Sequence, residues 1–470
     1  MDALLKIVQT ANSYLTDYIL IFLLVGVGLF FTIRTKFVQV RCFGEGMKLV
    51  FGNISLKGGK QKSGLSSFQA LATAIAAQVG TGNIVGACGA ILVGGPGAIF
   101  WMWVIAFLGM ATIYAEAVLA QKTRVVDADG NVQGGPVYYI KTAFKGGFGK
   151  FLSVFFAVAT ILALGFMGAM VQSNSIAGTA GTAIGMSSSL YWIIGLVVAL
   201  LAGIVFLGGV NRLAAVTEKM VPVMALLYIL GSLVVIFARI QHVPEAFGMI
   251  FKYAFAPKAL IGGGIGYALK TAISQGAKRG LFSNEAGMGS TPHAHAQANV
   301  KDPHEQGVTA MIGVFIDTFI VLTMTALVVI STLYAGDGEL GNAALYDAAK
   351  GGLLNPANWP KANLAQMAFG TVFGETFGNI FVAVCLFFFA FSTILSWNFF
   401  GKINVQYLFG KKAVLVYSII AVGFVFLGSV FQDDLVWELT DFFNYLMVLP
   451  NVIALVALGK LVTGKRNQDL

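Results

Sequence analysis

The chain has 470 residues, 57% of them hydrophobic and 11% charged, with a mean hydropathy of +0.81. A water-soluble chain carries roughly 45–50% apolar and about 25% charged residues, so this composition excludes an ordinary soluble enzyme or binding domain. The formal net charge of +9 does not point to nucleic acid, because the basic residues gather in a few loops between long apolar runs.

Apolar runs of about 20 residues recur along the whole chain, each long enough to cross a bilayer as a helix. They are too long and too uniformly apolar for barrel strands. The fold expected is an all-α polytopic membrane protein. Spans are predicted at about 15–33, 65–92, 95–120, 149–182, 190–209, 214–238, 262–300, 305–335, 364–408, 413–431 and 436–462, eleven in all. The N-terminal residues lack the basic head and small-residue cleavage site of a signal peptide. Cys42, Cys88 and Cys385 are scattered and odd in number, which suggests small core residues rather than a disulfide framework or a metal knot.

The first interhelix loop holds Arg34, Lys36, Arg41, Lys48, Lys57, Lys60 and Lys62 against Glu45. Positive residues in short loops stay cytoplasmic. Eleven crossings of the inner cell membrane then leave the N-terminus outside and the C-terminus in the cytoplasm. The stretch "QDDLVWELTD", with Asp433, Asp434, Glu438 and Asp441, falls outside as a loop. The Ala335–Asn363 insertion also falls outside, as a cap over an outward opening or a plain linker. Lys278 and Arg279 fit poorly, because they sit inside a proposed span where charge usually faces a cavity or a partner.

Two spans are interrupted. The second span contains "AAQVGTGNIVG", Ala76 to Gly86, with Gln78, Thr81 and Asn83 among three glycines. Glycine costs a helix about 1 kcal/mol per residue, so this density favours local unwinding. Unwound backbone in lipid needs other partners. A half-helix N-terminus suits a carboxylate, and the facing C-terminal carbonyls suit a cation. The other interruption is "GLFSNEAGMGSTPHAHA", Gly280 to Ala296, with Ser283, Asn284 and Glu285. For either break alone, a glycine-lined packing face is the alternative. Two breaks in corresponding places suggest an inverted repeat, 65–238 and 262–462, with a binding site between them and the 15–33 helix as an addition.

A third feature is "FFFAFSTILSW", Phe387 to Trp397. Ser392 and Thr393 either bond back to the preceding turn or join carbonyl oxygens around a monovalent cation, since hard cations prefer oxygen. Trp397, four residues after Thr393, shares its face. It either walls a site or anchors at the interface.

The stretches "GGPGAIFWMWVIAFLG" (94–109), "GAMVQSNSIAG" (168–178) and "RGLFSNEAGMGSTPHAHA" (279–296) resemble the alanine or glycine:cation symporters, a sodium:amino acid symporter family. That family is similar in fold to the leucine-transporter-like carriers, with a five-plus-five inverted repeat and a V-G-x-G-N break, matched here by Val79 to Asn83. The resemblance implies sodium-coupled uptake of alanine or glycine by alternating access. It implies that the Thr81 and Gly82 amides, with Asn83 nearby, hold the substrate carboxylate, with Gln78 and Gln172 lining the pocket. Phe282, Ser283 and Asn284 would face it from the second break, and Trp397 and Phe282 would limit substrate size. It implies a sodium held by the carbonyls of Ala76, Val79 and Phe389 and the hydroxyls of Ser392 and Thr393. Glu285 departs from the fold's usual neutral residue. It either compensates the substrate ammonium or pairs with Lys278 or Arg279.

Three other readings compete. A metalloenzyme would need more than His293 and His295, whose i, i+2 spacing puts them on different helix faces. A channel would call for a repeated filter motif. A proton-coupled carrier could use Glu285, whereas the Ser392–Thr393 pair favours sodium.

Overall fold

The computed structural model describes residues 2–52, 64–127, 131–255, 265–341, 346–347, 352–353, 361–431 and 433–466. Lys57, Lys60, Lys62 and most of the Ala335–Asn363 insertion lie outside the described residues.

The chain is built almost wholly of helices: α1 (Ala3–Arg34), α2 (Phe43–Phe51), α3 (Ser67–Gln78), α4 (Gly82–Gly94), α5 (Gly97–Thr123), α6 (Gly146–Ala183), α7 (Ser188–Phe206) and α8 (Gly209–Ala238). There follow α9 (Val243–Phe255), α10 (Ile265–Asn284), α11 (Pro303–Tyr334), α12 (Lys361–Phe373), α13 (Glu375–Phe409), α14 (Ala413–Gly428) and α15 (Asp433–Ala457). A hairpin pairs Val125–Val126 with Val132–Gln133.

Among the described residues, eight helices are long and apolar enough to cross a membrane, or nine when the bent α3–α4 pair counts as one span. The sequence predicts eleven spans. The two in question are α14, which is 16 residues long, and α10, which carries Lys270, Lys278 and Arg279. A further difference concerns the run 364–408, read as one span. Gly374 adopts φ +81° and divides it into α12 and α13. The division falls where Glu375, Thr376, Gly378 and Asn379 interrupt the apolar run. The acidic stretch 433–441, expected as a loop, is the first part of α15.

Helix burial sorts interior from periphery. In the most apolar windows, 72% of residues are buried in both α5 and α13, against 28% in α7. Leu196, Val197, Leu200 and Ile204 of α7, with Leu226, Leu230, Val234 and Phe237 of α8, are exposed. In a chain of this composition they are the lipid-facing surface, because lipid is as apolar as these side chains.

Both interrupted segments are anchored at one end by shared backbone bonds. The Leu65 amide donates to the Gln297 carbonyl at 2.8 Å and the Asn299 amide donates to the Leu65 carbonyl at 2.8 Å. Helix α3 then starts on a capping box, in which Ser66 Oγ accepts from the Gln69 amide and Gln69 Oε1 accepts from the Ser66 amide. The breaks thus hang from a common fixed point.

Candidate functional site

The first break follows directly from the glycine-rich stretch. Val79 leaves the helical region (φ −79°, ψ 82°), and the axes of α3 and α4 differ by 46°. The Gly80 amide turns to the Asn83 side-chain oxygen at 3.1 Å, and the Thr81 amide to Gln172 Oε1 at 3.1 Å. Glycine at position 80 is a matter of space. A Cβ there would lie 2.4 Å from Thr393 Oγ1 and 3.2 Å from Gln172 Oε1, so only a bare backbone lets α13 come this close.

The second break begins where α10 ends, at Asn284. Glu285 takes the left-handed conformation (φ +59°), as do Gly287 (φ +90°) and Gly289 (φ +82°), and regular helix resumes only at Pro292–His295. A left-handed non-glycine residue is uncommon and costs of order 1–3 kcal/mol, so surrounding contacts must hold it. Trp397 Nε1 donates to Glu285 Oε1 at 2.6 Å, and Ser290 Oγ donates to Glu285 Oε2. Freed backbone groups find side-chain partners. Gln78 donates to the Asn284 carbonyl at 2.7 Å, Asn451 to the Gly287 carbonyl at 2.8 Å, and the Gly287 amide to Glu116 at 3.2 Å. Unwound backbone inside the membrane is therefore satisfied by protein, as the bilayer requires.

The two breaks touch. A Cβ on Gly82 would lie 3.0 Å from the Ser283 Cα and 3.1 Å from the Phe282 ring. Asp317, in the middle of α11, joins them. It is fully buried and accepts from Asn83 Nδ2 at 2.6 Å, Ser283 Oγ at 2.9 Å and Thr318 Oγ1 at 2.7 Å. Glu116 of α5 lies in the second break's own network, accepting from Asn451 at 2.6 Å.

Five buried polar atoms around the breaks have no hydrogen-bond partner: Gln78 Oε1, Thr81 Oγ1, Gln172 Nε2, Asn284 Nδ2 and, farther along the second break, Thr291 Oγ1. Each such atom costs roughly 1–3 kcal/mol when left unpaired. They leave unmet hydrogen-bonding capacity at the two breaks.

Beside the first break, four oxygens converge. Thr393 Oγ1 lies 2.9 Å from the Ala76 carbonyl and 3.0 Å from that of Phe389, while Ser392 Oγ lies 2.9 Å from Phe389 O and 3.4 Å from Ala76 O. The hydroxyls thus bond back to their own turn and also across to the unwinding end of α3.

Trp397 is enclosed. Phe282 meets its ring edge-on with centroids 5.9 Å apart, and a Cβ on Gly168 of α6 would lie 2.4 Å from its six-membered ring. Phe282 also packs on Trp437 at 4.9 Å. Trp397 is buried in the interior, not set at an interface.

Lys278 and Arg279 do not reach Glu285. Lys278 pairs with Asp441 at 2.9 Å and Glu438 at 3.2 Å, and Arg279 pairs with Asp441 at 3.4 Å and lies 4.7 Å over the Trp437 ring. Pairing with Glu285 is thereby replaced by pairing with α15, which accounts for two cations inside a span. His293 stacks between Phe156 and Phe400, with centroids at 6.2 and 5.5 Å. His295 bonds Gln306 at 2.7 Å. Both are packed interior residues.

A separate cavity of about 650 Å³ is lined by Thr182, Arg239, Asn363, Gln366 and Glu375, among others, away from the breaks. At its rim Arg239 hydrogen-bonds Asp337 and holds that carboxyl below the usual carboxylate range.

The family pattern of the sodium:alanine symporters matches residues 1–468. The chain belongs to the sodium:alanine symporter family. It is 39% identical over 464 residues to the sodium/alanine symporter AgcS of Methanococcus maripaludis, covering 98% of this chain and 96% of that one. It is 36% identical over 457 residues to the amino-acid carrier protein AlsT of Bacillus subtilis, covering 97% and 90%. A second Bacillus subtilis relative, YrbD, is 40% identical over 457 residues, covering 96% and 90%, and is provisionally named a sodium/proton-dependent alanine carrier. Among solved structures, the fold is similar to that of MhsT in complex with L-phenylalanine, with TM-score 0.59 at 13% identity, covering 86% of this chain and 99% of that one. It is also similar to a sodium-coupled sialic acid symporter, with TM-score 0.52 at 12% identity, covering 88% and 82%. This member of the family is thus an integral membrane carrier of the leucine-transporter-like fold, and its family is one of transporters rather than enzymes.

The interior holds residues that motif reading passed over: Glu116, Asp317 and Asn451. A lone acid in the middle of an apolar run is itself a signal, and both Glu116 and Asp317 carry it.

Proposed function

We propose that this symporter moves a small neutral amino acid, alanine or glycine, into the cell together with sodium, by alternating access between an inverted pair of five-helix repeats (65–238 and 262–462). The observation that carries the reading is four of the partnerless polar atoms at the two breaks, those of Gln78, Thr81, Gln172 and Asn284. A zwitterion answers them: its carboxylate would accept from Thr81 Oγ1, Gln172 Nε2 and Asn284 Nδ2, and its ammonium would donate to Gln78 Oε1. The Gly82 amide and Asn83 sit beside the carboxylate position. Phe282 and Trp397 close the pocket against longer side chains, offsetting the roughly 0.8 kcal/mol that each extra buried methylene would add. Glu285 accepts from the Trp397 indole and from Ser290, and its remaining lone pairs can also face the substrate ammonium. Ser283 reaches the site through Asp317.

Sodium would lie among the carbonyls of Ala76, Val79 and Phe389 and the hydroxyls of Ser392 and Thr393, tying the first break to α13. One charge crossing 100 mV releases about 2.3 kcal/mol, and a tenfold gradient adds about 1.4 kcal/mol. Together these support accumulation of several hundred-fold at one sodium per zwitterion, and transport would be electrogenic. Loop charges favour an N-terminus outside and a C-terminus in the cytoplasm.

Three carboxylates buried in the interior, Glu116, Glu285 and Asp317, favour a second reading in which a proton is the coupled ion. Uptake of labelled alanine and glycine into proteoliposomes, with sodium and proton gradients imposed separately, decides. Sodium-driven, saturable uptake with counterflow supports the first reading. Uptake driven by protons alone replaces it with the second.

A further inference from the structure

A cluster unrelated to the breaks sits where α2, α5, α11 and the C-terminal segment meet. Cys42 caps α2 and Glu45 lies three residues on, so both face the same way. His304 occupies the first turn of α11, its amide held by the capping Asp302 at 2.9 Å. The thiol, a Glu45 carboxylate oxygen and a His304 ring nitrogen lie within 4.8 Å of one another. His304 Nε2 is 3.3 Å from Glu45 Oε2. Cys42 and His304 are 5% and 3% exposed, while the Glu45 side chain is 30% exposed and opens the cluster to solvent.

We propose that Cys42, Glu45 and His304 form a binding site for a divalent transition metal of the zinc class, which pins α2 to α11. One sulfur, one imidazole and one carboxylate with an open fourth position for water match zinc's ligand preferences and exclude sodium, magnesium and calcium, which seek oxygen alone. The supporting contacts suit it. Tyr114 OH lies 2.6 Å from His304 Nδ1 and stands edge-on to the ring, which fixes the imidazole with Nε2 toward the cluster. Arg466 holds Glu45 Oε1 at 2.6 Å and leaves Oε2 for the metal. Arg41, next to Cys42 in sequence, is engaged with the carbonyls of Thr35 and Gly464. On loading, the Cys42 S–H bond breaks and an S–metal bond forms, with the proton released to solvent. The imidazole proton resides on Nδ1, donated to the Tyr114 oxygen, and Nε2 gives its lone pair to the metal. Phe43 of α2 already packs edge-on against Phe315 of α11 at 4.9 Å, so the metal stiffens an existing contact close to Asp317.

Cobalt(II) titration of the full chain, purified in detergent with a phosphine reductant, tests the site. The expected result is one cobalt per chain with a near-ultraviolet thiolate-to-cobalt band, displaced by stoichiometric zinc. Cys42→Ser and Cys42→Ala should each abolish the band, His304→Gln and Glu45→Gln should each weaken loading at least tenfold, and Cys88→Ser should retain both. Metal-free melting temperatures equal to the parent's establish that the variants are folded. A parent without the band, a band that survives in folded Cys42→Ser, or undiminished loading in folded His304→Gln overturns the proposal. These readouts are independent of which ion drives transport.

Discussion

Removing the two hydroxyls of α13 tests the ion site most sharply. In the pair Ser392→Ala, Thr393→Val the second change keeps the shape of threonine and deletes only its hydroxyl, so packing around Ala76 and Gly80 is preserved. A hydrogen-bonding contact to a charged partner contributes about 1.5–3 kcal/mol. Without the ion, both hydroxyls already donate to the Phe389 carbonyl, and Thr393 also to that of Ala76, so part of that energy is regained when they are left in place. The low end applies, about 3 kcal/mol for the pair, which raises the sodium concentration for half-maximal uptake about a hundredfold. Linkage requires substrate affinity at fixed sodium to fall as well, since the coupling of two ligands is reciprocal. Proteoliposome uptake of labelled alanine over a series of internal and external sodium concentrations reads both. A folded double variant whose sodium dependence stays within about threefold of the parent's would refute the assignment, because about 0.6 kcal/mol is too little for two lost ligands.

Other perturbations address the pocket and its frame. Gly80→Ala places a methyl 2.4 Å from Thr393 Oγ1; it should cost about 1–3 kcal/mol by overpacking and abolish uptake, measured by melting and transport together. Trp397→Leu should let larger neutral amino acids compete with alanine uptake, whereas Gly168→Ala, which drives a methyl against the indole, should narrow the choice toward glycine. Asp317→Asn should lower uptake at least tenfold in a protein that still folds, because an amide cannot accept from Asn83, Ser283 and Thr318 in the same way. Asp441→Asn leaves Lys278 and Arg279 short of their buried partner and should lower stability by about 3–5 kcal/mol, read as a fall in melting temperature that Lys278→Met partly restores.

Much of the architecture was legible in residue order. Long apolar runs specify membrane helices because hydrocarbon leaves the backbone no other partner. Gly80, Gly82, Gly287 and Gly289 announce unwinding because each weakens a helix wherever it is placed. Ser392 and Thr393 were visible as adjacent hydroxyls, though either of two uses was open. What residue order left undetermined is direction. In a span that is apolar on every side, hydropathy does not distinguish the face toward lipid from the face toward protein, since both surroundings are equally apolar. Only the packed chain shows that Lys278 and Arg279 turn to Asp441, that Glu285 receives the Trp397 indole, and that Asn451 reaches Glu116 across 335 residues of sequence. Gly374 could be read as one more small residue until its left-handed backbone separated α12 from α13. Local composition sets where helices form and fail; which polar atoms then face one another depends on the rotation of each helix against its neighbours, and that is fixed only when the whole bundle packs.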